Sequence, residues 1–203
     1  MIIAELHKTS QERYTVRFED GGEVKTTLGV ITDLRLFQGK DLSQEQIEEL
    51  KTSSARHLTL ERSIEMLSRR QMSGKELRDK LLSKGIDEDT AEYCKNKLFD
   101  MGLMDDGRYA QSLARHYSGR GYGVMRVRQE LARRGIAKDL WDEAIAEMES
   151  PDEKIDKIIK SKLTDSDDRE QVKKITAMLY RRGYSWDEIK AALRRFNTEP
   201  EEY

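Results

Sequence analysis

One short phrase is written three times in this chain, about fifty residues apart. It reads Leu77-Arg-Asp-Lys-Leu-Leu-Ser-Lys-Gly-Ile86, then Val127-Arg-Gln-Glu-Leu-Ala-Arg-Arg-Gly-Ile136, then Ile175-Thr-Ala-Met-Leu-Tyr-Arg-Arg-Gly-Tyr184. Each copy carries an apolar residue, another four later, a basic residue, then Gly and an apolar residue. Self-similarity at a fixed period signals one supersecondary unit used repeatedly. Stacked units build a long surface, and long surfaces suit extended partners.

Composition supports small units over one deep core. Of the 203 residues, 36% are hydrophobic and 37% charged, with only two prolines. Narrow apolar stripes on short helices suit that balance. No apolar run approaches the length of a membrane span, and the N-terminus has no signal-peptide pattern. The lone Cys94 excludes an internal disulfide framework. A cytoplasmic chain is expected, with no membrane partner, and a monomer.

Residues 1–29 differ from the rest. Tyr14, Val16 and Phe18 alternate, Asp20-Gly21-Gly22 supplies a turn, and residues 23–28 run on, which predicts a hairpin. Residues 1–6 add a third strand, and a short helix over 30–37, stopped by Gly39, covers the sheet. Ser43 and Gln46 form a capping box for a helix through about Lys51. Thr52-Ser53-Ser54 reads as a joint.

From Leu58 onward the periodicity is helical throughout. The first unit has Leu60, Ile64 and Leu67 on its first helix, a capping box at Ser73 and Glu76, then Leu77, Leu81 and Leu82 up to Gly85. Its third helix carries Ala91, Cys94 and Leu98 and stops at Gly102. The second unit opens with Asp106 as cap and carries Tyr109, Leu113 and Tyr117. The turn from Gly119 to Gly123 leads to Val124, Val127 and Leu131, and Leu140, Trp141, Ala144, Ile145 and Met148 follow. In the third unit Ser150, Pro151 and Glu153 read as cap, first helical residue and capping-box acid. Ile155, Ile158 and Ile159 follow, Gly183 ends the middle helix, and Ser185 with Glu188 caps the last, whose Ile189, Leu193 and Phe196 face inward. The expectation is a mainly α chain of three tandem three-helix repeats in an elongated arc, after a small β-containing extension. The boundaries are 1–57 for the extension, 58–104, 105–149 and 150–197 for the repeats, and 198–203 for an acidic, frayed tail.

Three features resemble sites without meeting their requirements. His7, His57 and His116 lack metal-ligand spacing. The Gly-rich turn at 119–123 joins two helices, where a phosphate loop follows a strand. The acidic run at 139–170 lacks the alternating ligands and central Gly of a calcium loop. No nucleophile is placed beside a base, and no cofactor or metal is implied.

Charge gives the functional signal. A net charge of −2 hides alternating blocks. Residues 107–138 hold eight bases and one acid, Glu130, a net +7; residues 139–170 are net −7, and residues 171–196 net +5. Such blocks steer charged partners. Arg126, Arg128, Arg133 and Arg134 lie on or beside the second unit's middle helix, with Arg120 before and Lys138 after. On the helix Arg126, Arg133 and Arg134 are read as one basic flank beside the Val127 and Leu131 stripe. Arg181, Arg182, Arg194 and Arg195 form a second cluster; Arg69, Arg70, Lys75 and Arg78 form a weaker first. Forked guanidinium donors suit carboxylate and phosphate. The competing reading is a solubilising face with acid partners, which the second unit disfavours because only Glu130 is near. Most aromatics, Tyr109, Tyr117, Trp141, Tyr180, Tyr184 and Trp186 among them, read as packing anchors. Tyr122 reads as the most exposed, placed to stack on a base or on a partner side chain, with packing inside its loop an equally good reading.

These residues together resemble the RecX family, bacterial regulators of the recombinase RecA. Ser73-Gly-Lys-Glu-Leu-Arg-Asp-Lys-Leu81 with Lys84-Gly85 is similar to the family's first-repeat motif. Asp106-Gly-Arg-Tyr-Ala110 with Arg115, Gly121 through Leu131, and Arg134-Gly-Ile136 resemble the second. Leu179-Tyr-Arg-Arg-Gly-Tyr-Ser-Trp-Asp-Glu-Ile189 resembles the third. Gly107 departs from the pattern, where the family often has an acid. The resemblance covers about residues 30–196. It implies a non-enzymatic modulator that lies in the groove of the RecA–DNA filament and hinders ATP hydrolysis and strand exchange in recombination, repair and the SOS response. The contacting set is then Arg70, Lys75, Arg78, Arg115, Arg120, Tyr122, Arg126, Arg128, Arg133, Arg134, Arg181, Arg182, Arg194 and Arg195. They meet RecA protein or phosphates of single- or double-stranded DNA with salt-sensitive affinity. A stand-alone DNA binder of helix-turn-helix type is the alternative.

Overall fold

The computed structural model describes residues 1–148, 150–166 and 168–198. The acidic tail expected at 198–203 lies outside them apart from Thr198. Three antiparallel strands open the chain, β1 (Ile3–Lys8), β2 (Arg13–Phe18) and β3 (Glu23–Thr27), in the order β1-β2-β3. Tyr14 pairs Thr26 and Val16 pairs both Leu6 and Val24, so these residues share a face. Gly21, at φ +89°, makes the β2–β3 turn that the Asp20-Gly21-Gly22 signal predicts. The sheet's apolar face buries Ile3, Val16 and Phe18 against Val30, Leu36, Leu42, Ile47 and Leu50.

The cover is α1 (Leu28–Asp33) and the first turns of α2 (Gln44–Arg69). α1 ends before the expected residue 37. Arg35 turns left-handed at φ +47°, and the Lys40 ammonium donates to the carbonyls of Leu34 and Arg35 at 2.8 and 3.2 Å, which satisfies them without another helical turn. The capping box of Ser43 and Gln46 forms as expected. The expected joint at Thr52, Ser53 and Ser54 does not: α2 runs unbroken for 26 residues, through the anticipated boundary at 57/58. Ser54 is buried on the sheet side and donates its hydroxyl to Thr26 Oγ1 at 2.8 Å. Its small side chain permits helix-on-sheet contact, and the bond removes the polar cost. Ile64, expected inside, is exposed; Thr59 and Ser63 take the buried positions, with the Ser63 hydroxyl donating to the Thr59 carbonyl.

Three clusters follow, one per repeat. α3 (Gly74–Leu82) and α4 (Glu88–Asp100) bury Leu77, Leu81, Ala91, Cys94 and Leu98 with Met104, against Leu60 and Leu67 of α2. α5 (Asp106–Gly119), α6 (Val124–Arg133), a 3-10 turn (Lys138–Leu140) and α7 (Trp141–Ala146) enclose Tyr109, Leu113, Val127, Leu131 and Ile136. α8 (Pro151–Lys162), α9 (Arg169–Arg181) and α10 (Trp186–Arg195) enclose Ile155, Ile159, Ile175, Leu179, Tyr184, Ile189 and Leu193. Each fully buried Leu or Ile contributes roughly 2 kcal/mol, so each unit rests on a few such side chains.

Two expected caps are corrected. Asp105, not Asp106, caps α5, accepting from the Arg108 N–H at 2.8 Å, while the Asp106 carboxylate accepts from the Gly74 N–H at 3.0 Å. Ser150 makes no side-chain cap to α8, although Pro151 occupies the first turn. The described residues fall into two compact units, residues 1–72 with 76–104, and residues 73–75 with those from Asp105 onward.

Candidate partner-binding surface

α6 carries the densest basic set, and its start is fixed by main chain. Gly123 has no capping side chain. The N–H groups of Gly123 and Met125 instead donate to the carbonyls of Arg182 and Gly183, at 2.9 and 3.1 Å. A Cβ at Gly123 would overlap the Gly183 carbonyl, and one at Gly183 the Arg126 backbone. Two glycines thus let a helix start and a helix end touch backbone to backbone. The Gly-rich turn is therefore a packed joint.

From that start, α6 aims Arg126, Arg133 and Arg134 at one carboxylate. Arg126 Nη2 lies 2.9 Å from Glu130 Oε1, Arg133 donates to Oε2 at 3.1 and 2.8 Å, and Arg134 Nη1 binds the same oxygen. Arg134 Nε also donates to the Tyr109 hydroxyl at 3.2 Å. Glu130 is only 5% exposed. Burial alone would raise its pKa; the hydrogen bonds and charges of Arg133 and Arg134 outweigh this and hold it below the usual glutamate range. Burial would lower the Arg134 pKa, but bonds to Glu130 and Tyr109 raise it. The expectation that one nearby acid leaves these arginines free is therefore corrected: all three are paired. Three guanidiniums on one carboxylate still leave an excess of two positive charges, held rigidly on one flank.

The other predicted residues divide by how much internal pairing they carry. Arg128 is exposed, with Asp142 no nearer than 3.8 Å. Arg120 and Arg181 are exposed and have no ion pair among the described residues. Tyr122 follows the loop-packing reading and not the exposed one: it is half-buried, packed edge-on to Tyr117 at 5.6 Å, with the Arg182 guanidinium 5.8 Å from its ring centre. Arg182 also reaches the Gly121 carbonyl at 3.5 Å, so both hold the joint. Arg115 pairs with Glu147 at 3.3 Å. Arg195 is clamped by Asp156 and Asp152, which raise its pKa, the Asp156 bond foremost. Arg194 is exposed.

In the first repeat, Arg78 sits among Glu88, Glu92 and Asp79, and Arg70 lies 3.5 Å from Glu76. Lys75 lays its stem over Gly135. The arginines of that cluster are locally neutralised. Sequence reasoning missed Glu130 as a hub, although its offsets of −4, +3 and +4 to the arginines are helix-facing spacings. It also missed Tyr180, read as an anchor but 60% exposed beside Arg181. Among the described residues no acid, His or Cys group could hold a metal, and no helix is long and apolar enough to cross a membrane.

Comparison with known proteins gives a consistent result. Family models for the first, second and third three-helix domains of RecX match residues 60–98, 105–145 and 155–193. The chain is 34% identical over 138 residues to the regulatory protein RecX of Xanthomonas axonopodis pv. citri, covering 66% of this chain and 85% of that one. It is 39% identical over 142 residues to the regulatory protein RecX of Vibrio campbellii, covering 66% and 88%. A crystal structure of a regulatory protein RecX shares the fold, with a TM-score of 0.79 at 21% identity over 96% of this chain and 98% of that one. RecX from Lactobacillus salivarius gives 0.62 at 26% identity, over 70% and 97%.

Proposed function

Because this chain belongs to the RecX family of regulatory proteins, we propose that it binds the RecA–DNA filament and lowers its ATPase and strand-exchange activity. It acts by occupancy, without catalysis, in the cytoplasm. The observation that carries this reading is the arginine array around Glu130, together with the lightly paired or unpaired Arg120, Arg128 and Arg181. A rigid, net-positive flank loses little side-chain entropy when it meets carboxylates or phosphates. Guanidiniums already held by Glu130 keep further N–H donors for a second anion. Short contacts of this kind, repeated along a polymer, add up by avidity.

The test measures RecA ATP hydrolysis on single-stranded DNA with the chain added. Inhibition at stoichiometric amounts is expected, weakened about tenfold by the combined variant R120Q/R128Q/R133Q, which removes three exposed charges worth roughly 0.5 kcal/mol each. No inhibition by the natural chain would overturn the proposal. A gel shift on bare DNA across a salt series separates the stand-alone DNA binder: tight, sequence-selective binding without RecA belongs to that alternative alone.

A further inference from the structure

Two of the three repeats finish their middle helix against another segment. In the third, the Arg182 and Gly183 carbonyls accept the N–H groups of Gly123 and Met125, and Tyr184, next in sequence, is 1% exposed. In the second, the Arg134 carbonyl accepts the Ser73 hydroxyl at 2.5 Å, a Cβ on Gly135 would overlap Lys75, and Ile136 is 3% exposed. Both joints follow one rule: a helix start with a small first residue, Gly123 or Ser73, sits on the glycine turn. Aligned on Leu77 and Val127, those two residues occupy the same place in the repeat.

The first repeat has the same turn, open among the described residues. A Cβ at Gly85 meets no described atom within 4 Å. Lys84 is exposed and Ile86, matching Ile136 and Tyr184, is only half-buried. Beside the turn, between α2 and α3, runs a groove of about 520 Å³ with Met66, Leu81 and Ile86 in its wall. Arg62 and Lys84 line it with no ion pair among the described residues, while Arg69 and Glu65 pair with each other.

We propose that this groove and the Gly85 turn receive the first turn of a helix from a partner protein, one with Ser or Gly at its N-cap and carboxylates just after it. The two joints supply the shape: the first residue of a helix start, through its N–H at Gly123 or its hydroxyl at Ser73, meets a turn carbonyl, and that residue is small in both. Charge supplies the rest. A helix start carries partial positive charge and approaches two unpaired cations, so acidic residues in its first turn are needed to offset both. The α9 start of a second copy, which is equivalent in the repeat to the starts at Gly123 and Ser73, does not fit. There the residue matching Gly123 and Ser73 is Gln171, already inside the first turn of α9, and Asp168 takes the N–H groups of Glu170 and Gln171. The third repeat is closed by its own cap.

The probe is a stapled alanine-based helical peptide beginning Ser-Gly-Glu-Glu, titrated into the full isotope-labelled chain and followed by amide NMR shifts and fluorescence anisotropy. Shifts are expected at Lys84, Gly85, Ile86 and Arg62. The variant R62E/K84E, both positions exposed, should keep a folded spectrum and bind about tenfold more weakly. A peptide beginning Ser-Gly-Lys-Lys should also bind more weakly. Silence at those four amides at saturating peptide overturns the proposal, as do shifts centred elsewhere. Sedimentation showing self-association that protects the same amides overturns it too, by making a second copy the occupant.

Discussion

Replacing Glu130 by Gln removes the shared charge from three arginines at once. Breaking a buried ion pair by losing one partner costs about 3–5 kcal/mol, because the remaining charge is left uncompensated. Here the partners are unequally placed: Arg126 and Arg133 keep 40% and 69% of their side chains in water, whereas Arg134 keeps 15%. Water takes over for the first two, so most of the cost falls on Arg134, and the low end, about 3 kcal/mol, is expected. At roughly 2–4 °C per kcal/mol that is a fall of about 6–12 °C in melting temperature. Acid provides an internal check. The Glu130 pKa is lowered on folding, so its contribution is complete above the ordinary glutamate value and is lost as pH falls through the depressed one. The natural chain and the Gln variant should therefore converge in stability in acid and separate as pH rises toward neutrality. Urea melts followed by circular dichroism across pH would measure this. A difference under about 0.5 kcal/mol at pH 7, or one that does not change with pH, would refute the hub.

Other expectations are equally direct. Gly123→Ala pushes a Cβ into the Gly183 carbonyl and should cost about 2–3 kcal/mol in urea denaturation, whereas Gly119→Ala, with open space, should be neutral or stabilising. Ser54→Ala leaves the buried Thr26 hydroxyl without its donor, and a loss of about 1 kcal/mol in thermal melts is expected. The Cys94 thiol is buried, with burial pushing its pKa up to about 11. Iodoacetamide at pH 8 should leave it unmodified in the native chain and alkylate it in urea, as mass spectrometry would show.

Much of this was legible because local chemistry and tertiary structure agree. The capping boxes at Ser43 and Ser185 form as read, and Gly85, Gly102, Gly135 and Gly183 all end helices or helix turns at positive φ. What was not legible turns on partners distant in sequence. Thr52, Ser53 and Ser54 look like a break until Thr26 is seen opposite Ser54. Asp105 and Asp106 are interchangeable as caps on paper; Gly74 decides which one turns away. The arginine surface was found by counting charges along blocks of sequence. That count cannot show that Glu130 is buried or that its three neighbours converge on it, and so it overstated how many guanidiniums are free.

α2 has a practical bearing on how this molecule can be dissected. At about 1.5 Å per residue it is a strut of roughly 39 Å, against which both β3 and α4 pack. A shortened chain starting at residue 58, where the periodicity alone suggests cutting, would sever that strut mid-span, remove Ser54 and its Thr26 partner, and leave buried Thr59 next to a free end. Loss of function in such a fragment would report a collapsed first repeat, and would say nothing about whether the strands themselves touch a partner.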